Sequence, residues 1–135
     1  MSNEVADRLA INELIATYND AVMRFDADAW GSTWAEDGVW SLPGMGDGIA
    51  GRETIVETWK MAMSQFEFVG FFASPGPLQL DGDSAHGTLY QQEFLYLKEG
   101  GERQVIGRYT DDFVKVDGQW KFAKRVYEVL KDSSA

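Results

Sequence analysis

The sequence predicts an α+β domain in which helices come first and a curved antiparallel sheet follows. Three observations carry this. Apolar residues recur at steps of three and four before residue 66, the pattern of one helix face. After Phe66 the chain reads as long runs of strand character, and glycine-bearing tight turns separate those runs. With 135 residues, the chain fits a single domain over 1–135, since domains usually run to about 100–200 residues.

The first helix is expected over 5–25, where Val5, Leu9, Ile11, Leu14, Ile15, Tyr18, Ala21, Val22 and Phe25 draw one stripe. The segment Phe25-Asp26-Ala27-Asp28 interrupts it, and Asp28 suits the N-cap of a short second helix. That helix would carry Trp30 and Trp34 one turn apart and end at Asp37-Gly38. A short strand is expected over 39–42, then a glycine loop over 44–51, then a third helix over 52–65. Strands follow near 66–74, 78–80, 85–98, 103–116 and 120–130, with a fraying tail over 131–135. Turn chemistry sits between them at Asp81-Gly82-Asp83, Glu99-Gly100-Gly101 and Asp117-Gly118. Pro75-Gly76-Pro77 should kink or bulge its strand, because proline cannot donate to a ladder.

Composition narrows the function. Twelve basic against 22 acidic residues leave a net charge of −10, a field that repels phosphate backbones and anionic lipid. Nucleic-acid and membrane partners are therefore not expected. The chain has no cysteine, which excludes thiolate chemistry and cysteine zinc sites, and no phosphate loop or metal-ligand triplet occurs. Neither metal nor nucleotide cofactor is expected. The opening Met1-Ser2-Asn3-Glu4 lacks a cleavable apolar leader, so a cytoplasmic location is the expectation. Aromatic residues reach 13%, more than a bare core requires, and such surface commonly lines ligand cavities.

Three residues stand out chemically. Asp26 follows an apolar helix and precedes a tryptophan-bearing turn; burial there would raise its pKa and make it a base, whereas at the surface it would only cap a helix. Arg125 shares a face with Ala123, Tyr127 and Val129 under strict alternation, with Trp120 and Phe122 opposite. An arginine so placed either binds an anionic group or pairs with a buried acid. His86 is the only histidine, and its place beside a hairpin turn fits a surface residue. Tyr90 and Gln92 share a face with His86, Phe94 and Tyr96, as Tyr109 does with Asp111 and Phe113. Either row suits a pocket, a core or a subunit contact.

The ordered stretches Ile11–Tyr18, Trp34-Ala35-Glu36-Asp37-Gly38, Gly51-Arg52-Glu53-Thr54-Ile55, Gly107-Arg108-Tyr109-Thr110-Asp111 and Asp117–Phe122 resemble the SnoaL-like branch of the nuclear transport factor 2-like superfamily. The resemblance implies a cone-shaped α+β barrel of cystatin-like type, a pocket between sheet and helices, and a homodimer formed through the sheet. Similarity to hexachlorocyclohexane dehydrochlorinase, scytalone dehydratase and ketosteroid isomerase implies a cofactor-free lyase or isomerase acting on a small, largely apolar or cyclic molecule. Asp26 falls where the family's aspartate falls, and Arg125 where dehydrochlorinase-like members place a pocket arginine. The dyad histidine has no counterpart; its expected place is at Phe72. Tyr18, Trp30, Trp34, Trp40, Phe72, Tyr90 and Tyr109 are the expected substrate-binding residues. The alternatives are a non-catalytic binder and an assembly domain of the same fold.

Overall fold

The computed structural model describes residues 3–46 and 48–134. Met1 and Ser2 of the opening segment, Asp47 of the glycine loop and Ala135 of the tail lie outside the described residues. Helix α1 spans Glu4–Arg24 and buries Ile11, Ile15, Tyr18, Ala21 and Val22, the predicted stripe without its N-terminal end. Phe25 stops it in the left-handed conformation, φ 57°, with its N–H turned back to the Ala21 and Val22 carbonyls. Non-glycine residues rarely adopt that φ, so the turn is held by its hydrogen bonds, the Asp26 N–H to the Ala21 carbonyl at 3.0 Å among them, rather than by a preference of Phe25 itself.

Helix α2, Ala27–Ser32, is capped by Asp26 rather than Asp28 and ends before Trp34. The expected longer helix gives way because Thr33 offers its carbonyl to the Phe122 N–H at 2.8 Å, which starts strand β1, Trp34–Ser41. Two-residue β2, Ile49–Ala50, pairs with β1 inside what reads as loop. Helix α3, Arg52–Met63, precedes four long strands: β3 Phe66–Asp81, β4 Ser84–Leu97, β5 Glu102–Val116 and β6 Gln119–Asp132.

The sheet order is β2-β1-β6-β5-β4-β3. β1 runs parallel to β6 and every other pair is antiparallel, so the sheet is mixed rather than wholly antiparallel, curved, and open rather than closed into a barrel. The helices pack on one face and create the core there. Pro75-Gly76-Pro77 does not end a strand: β3 continues across a register shift between Pro75 and Leu78, the predicted bulge. A Cβ at Gly76 would collide with Thr88, so only glycine permits that close crossing.

A second bulge corrects the reading of β6. Asp112 pairs with Lys124 but Phe113 pairs with Phe122, leaving Ala123 as the extra residue. One extra residue reverses the alternation, so Trp120 and Phe122 share the helix-facing side with Arg125 and Tyr127. The tail expected to fray is in part strand: Lys131 and Asp132 pair with β5, and Asp132 receives Arg103 Nε at 3.0 Å. Among the described residues, no helix is long and apolar enough to cross a membrane.

Candidate functional site

The helix-facing side of the sheet is walled by aromatics. Trp30 stacks on Trp59 with centroids 4.6 Å apart, meets Trp40 edge-on at 5.4 Å, and lies 5.4 Å from Tyr18. Trp34 adds contacts to Trp30 and Phe122, and Trp40 Nε1 donates to the Tyr109 hydroxyl at 2.9 Å. Of the expected substrate-binding set, Tyr18, Trp30, Trp34, Trp40 and Tyr109 are thus brought together, packed ring on ring and buried.

Arg125 sits inside this shell, 1% exposed, with its guanidinium 3.7 Å from the Tyr109 centroid, 4.2 Å from Phe122 and 4.6 Å from Tyr18. It donates through Nε and Nη2 to the two oxygens of Asp111, at 2.7 and 3.0 Å. The two readings of Arg125 resolve to a buried ion pair. Desolvation opposes its charge, but Asp111 overrides this and holds the guanidinium above its ordinary range. Burial pushes the Asp111 carboxyl up while Arg125 pulls it back. Burial likewise raises Tyr18 and Tyr109, which stay protonated.

Three expectations are corrected by placement. Asp26 is exposed, and its Oδ1 accepts the Ala29 N–H at 3.1 Å, so it caps α2 and is not desolvated. Phe72 and Tyr90 point away from the helices, 56% and 42% exposed, because the inward parity of their strands falls on Phe71 and on Gln91. Phe71 is the residue that meets Tyr18, at 6.1 Å, and so occupies the inward position nearest the one expected of a histidine. His86 stands on the outer face, its Nδ1 2.6 Å from Asp112 Oδ1.

Sequence reasoning missed Gln91, Glu93 and Tyr127, which continue the polar row beyond Arg125. Gln91 Nε2 donates to Glu93 Oε1 at 3.0 Å, and the Tyr127 hydroxyl lies 3.3 Å from the same oxygen. Tyr127 reaches across β5 because Gly107 lies beneath it; a Cβ there would collide with the Tyr127 hydroxyl and the ring edge. Burial raises the Glu93 carboxyl, with the Gln91 and Tyr127 donors opposing. Burial also pushes the Tyr127 hydroxyl up. The signal was available: Ala85, Leu89 and Leu95 mark the core face of β4, and Gln91 and Glu93 are the polar interruptions of that row.

A cavity of about 250 Å³ lies between α1 and the β3 bulge, with Arg8, Asn12, Pro75, Gly87, Asp111 and Phe113 among its walls. Among the described residues, no group of three or more histidine, aspartate or glutamate side chains could hold a metal ion.

The family model described as the SnoaL-like domain matches residues 3–126, and this chain belongs to that family. An uncharacterized protein of Mycobacterium tuberculosis strain H37Rv is 27% identical over 128 residues, covering 91% of this chain and 85% of the relative. Among solved structures, a candidate scytalone dehydratase from Novosphingobium aromaticivorans superposes with a TM-score of 0.89 at 21% identity, covering 98% of this chain and 89% of that one. A type 2 hexachlorocyclohexane dehydrochlorinase gives 0.88 at 20% identity, covering 96% and 89%. At such identities these two speak for the fold, a nuclear transport factor 2-like one.

Proposed function

We propose that the chain is a cofactor-independent lyase or isomerase of the dehydratase and isomerase type, acting on a small, largely apolar, cyclic molecule. The observation that carries this reading is the continuous polar row Asp111, Arg125, Tyr109, Tyr127, Gln91 and Glu93, set in an aromatic wall. Elimination and isomerisation require a carboxylate base, donors or positive charge near developing negative charge, and walls that exclude water. The dehydratase and dehydrochlorinase descriptions of the structural neighbours support the same class.

In this reading Arg125 supplies fixed positive charge behind the tyrosine rings, and Asp26, which holds the family's aspartate position but caps α2 at the surface, is the residue whose part in turnover the first test decides. The test is turnover of a panel of small cyclic alcohols, ketones and halides by protein stripped of metal, comparing the parent with Asp26→Asn. Loss of a general base costs about 10²–10⁴-fold. A parental rate in Asp26→Asn returns that residue to capping alone. Saturable binding without turnover favours the second reading, a non-catalytic binder, which the closed Arg125–Asp111 pair and the outward His86 support.

A homodimer through the outer sheet face belongs to the same proposal. Phe68, Phe72, Tyr90, Tyr96, Ile106 and Val126 are all exposed there, a run of apolar side chains of the kind that marks a subunit contact. Light scattering should return twice the 15.1 kDa chain mass, and the monomer mass would contradict it. The partner is expected to be a small molecule rather than nucleic acid or membrane, in keeping with the −10 charge, and the location cytoplasmic.

A further inference from the structure

We propose that Glu93 is an acid–base residue of this site, steadied by Gln91 and by Tyr127 lying over Gly107, and that it exchanges a proton with a small cyclic ligand. This rests on the lyase or isomerase reading but adds a residue that the family resemblance does not supply.

The geometry favours Glu93 in four ways. It is inward-facing, only half-buried and without a counter-charge of its own, whereas Asp111 and Arg125, each 1% exposed, are taken up by each other. Its two hydrogen-bond partners, Gln91 and Tyr127, are neutral. The nearest cation, Arg103, is engaged by Asp132 through both Nε and Nη2, so its charge is largely answered there. Tyr109, stacked 4.8 Å from Tyr127, completes the titratable surroundings. A carboxylate with neutral partners and little water is more basic than one in an ion pair.

The fourth observation concerns Gln91. It is 4% exposed, and its Oε1 has no partner among the described residues while Nε2 is committed to Glu93. Buried acceptors are rarely left unpaired. Gln91 Oε1 therefore suits an N–H or O–H donor on the ligand, beside the carboxylate that takes its C–H proton. The ligand class is a flat, small ring carrying one such donor near an acidic carbon.

The base can be tested without knowing the natural substrate. In 5-nitrobenzisoxazole, a carboxylate takes the C3 proton, the C–H electron pair forms the nitrile π bond, and the N–O bond breaks to release a coloured phenolate. No oxidant or metal takes part. The parent should catalyse this with saturation, and the rate should rise with pH through a Glu93 pKa above the ordinary 4.5. Glu93→Gln should lose about 10²-fold or more in kcat with KM little changed. Glu128→Gln, an outer-face carboxylate change, should match the parent. Tyr127→Phe removes a donor to the carboxylate, so the pH limb should move to higher pH, a shift that a purely packing role would not cause.

A parental rate in Glu93→Gln overturns the assignment, and so does saturable binding of the probe by the parent without turnover. In both cases the small-molecule reading survives. Failure of the parent to bind either this probe or its unreactive analogue 5-nitroindazole sinks the pocket reading, and the inference with it.

Discussion

The two ends of the helix-facing sheet surface use the same residue types to opposite effect. At one end Asp111 and Arg125 answer each other bidentately under Tyr18, Tyr109 and Phe122, and almost no solvent reaches them. At the other end Glu93 has only neutral donors and remains partly open. A sealed, mutually satisfied ion pair fixes the packing around it; a half-shielded carboxylate with weak partners keeps its proton affinity available. Burial alone thus does not mark the reactive group. In the proposal for Glu93, burial of a carboxylate without a counter-charge does.

Breaking the sealed end should have the largest effect. Asp111→Asn leaves the guanidinium buried without a counter-charge and should cost about 3–5 kcal/mol of stability, read by urea denaturation. If the loss is under about 1 kcal/mol, water or another acid reaches Arg125 and the two ends do not differ. At the open end, Gly107→Ala should cost about 1–3 kcal/mol, because the new methyl displaces the Tyr127 ring. It should also detach Tyr127 from Glu93, which a shift of the Glu93 carboxyl resonance would report.

The smallest effect is a pH dependence. Burial raises the native Glu93 pKa above its unfolded value, so between those two values the native state binds more protons. The contribution of Glu93 to stability is therefore favourable at low pH and is lost as pH rises through the native pKa. Glu93→Gln removes that loss. Its stability relative to the parent should increase from below pH 4.5 upward and level off once native Glu93 is ionised. A difference that stays flat with pH would mean that Glu93 is as well solvated as an ordinary surface carboxylate.

Much of the scaffold was legible from local pattern. The α1 stripe, the helical segment from Arg52 and the turns at Asp81-Gly82-Asp83 and Asp117-Gly118 all follow from periodicity and turn chemistry. What failed depended on partners distant in sequence. Trp30 and Trp34 have helical spacing, yet the carbonyl between them at Thr33 is taken by Phe122, and Trp34 becomes strand. Strict alternation in β6 takes no account of the bulge at Ala123 and so sets Phe122 opposite Arg125, although it packs under the guanidinium. In β4, alternation separates two faces but does not say which one the helices cover. The family resemblance implies an inward, substrate-binding Tyr90, while the apolar run of Ala85, Leu89 and Leu95 marks the other face.

The most direct measurement is residue-resolved NMR of the parent titrated with 5-nitroindazole, which keeps the bicyclic shape of the reactive probe, cannot open, and offers an N–H donor. Binding at the open end should shift Gln91, Glu93 and Tyr127 most strongly, with the Gln91 side-chain amide among the largest movements. Resonances of Asp26, the outer-face Phe72, Tyr90 and Ile106, and the cavity by Pro75 should move less. Saturable shifts confined to the outer face, or to the cavity beneath α1, would contradict the assignment of the inner open end as the ligand site.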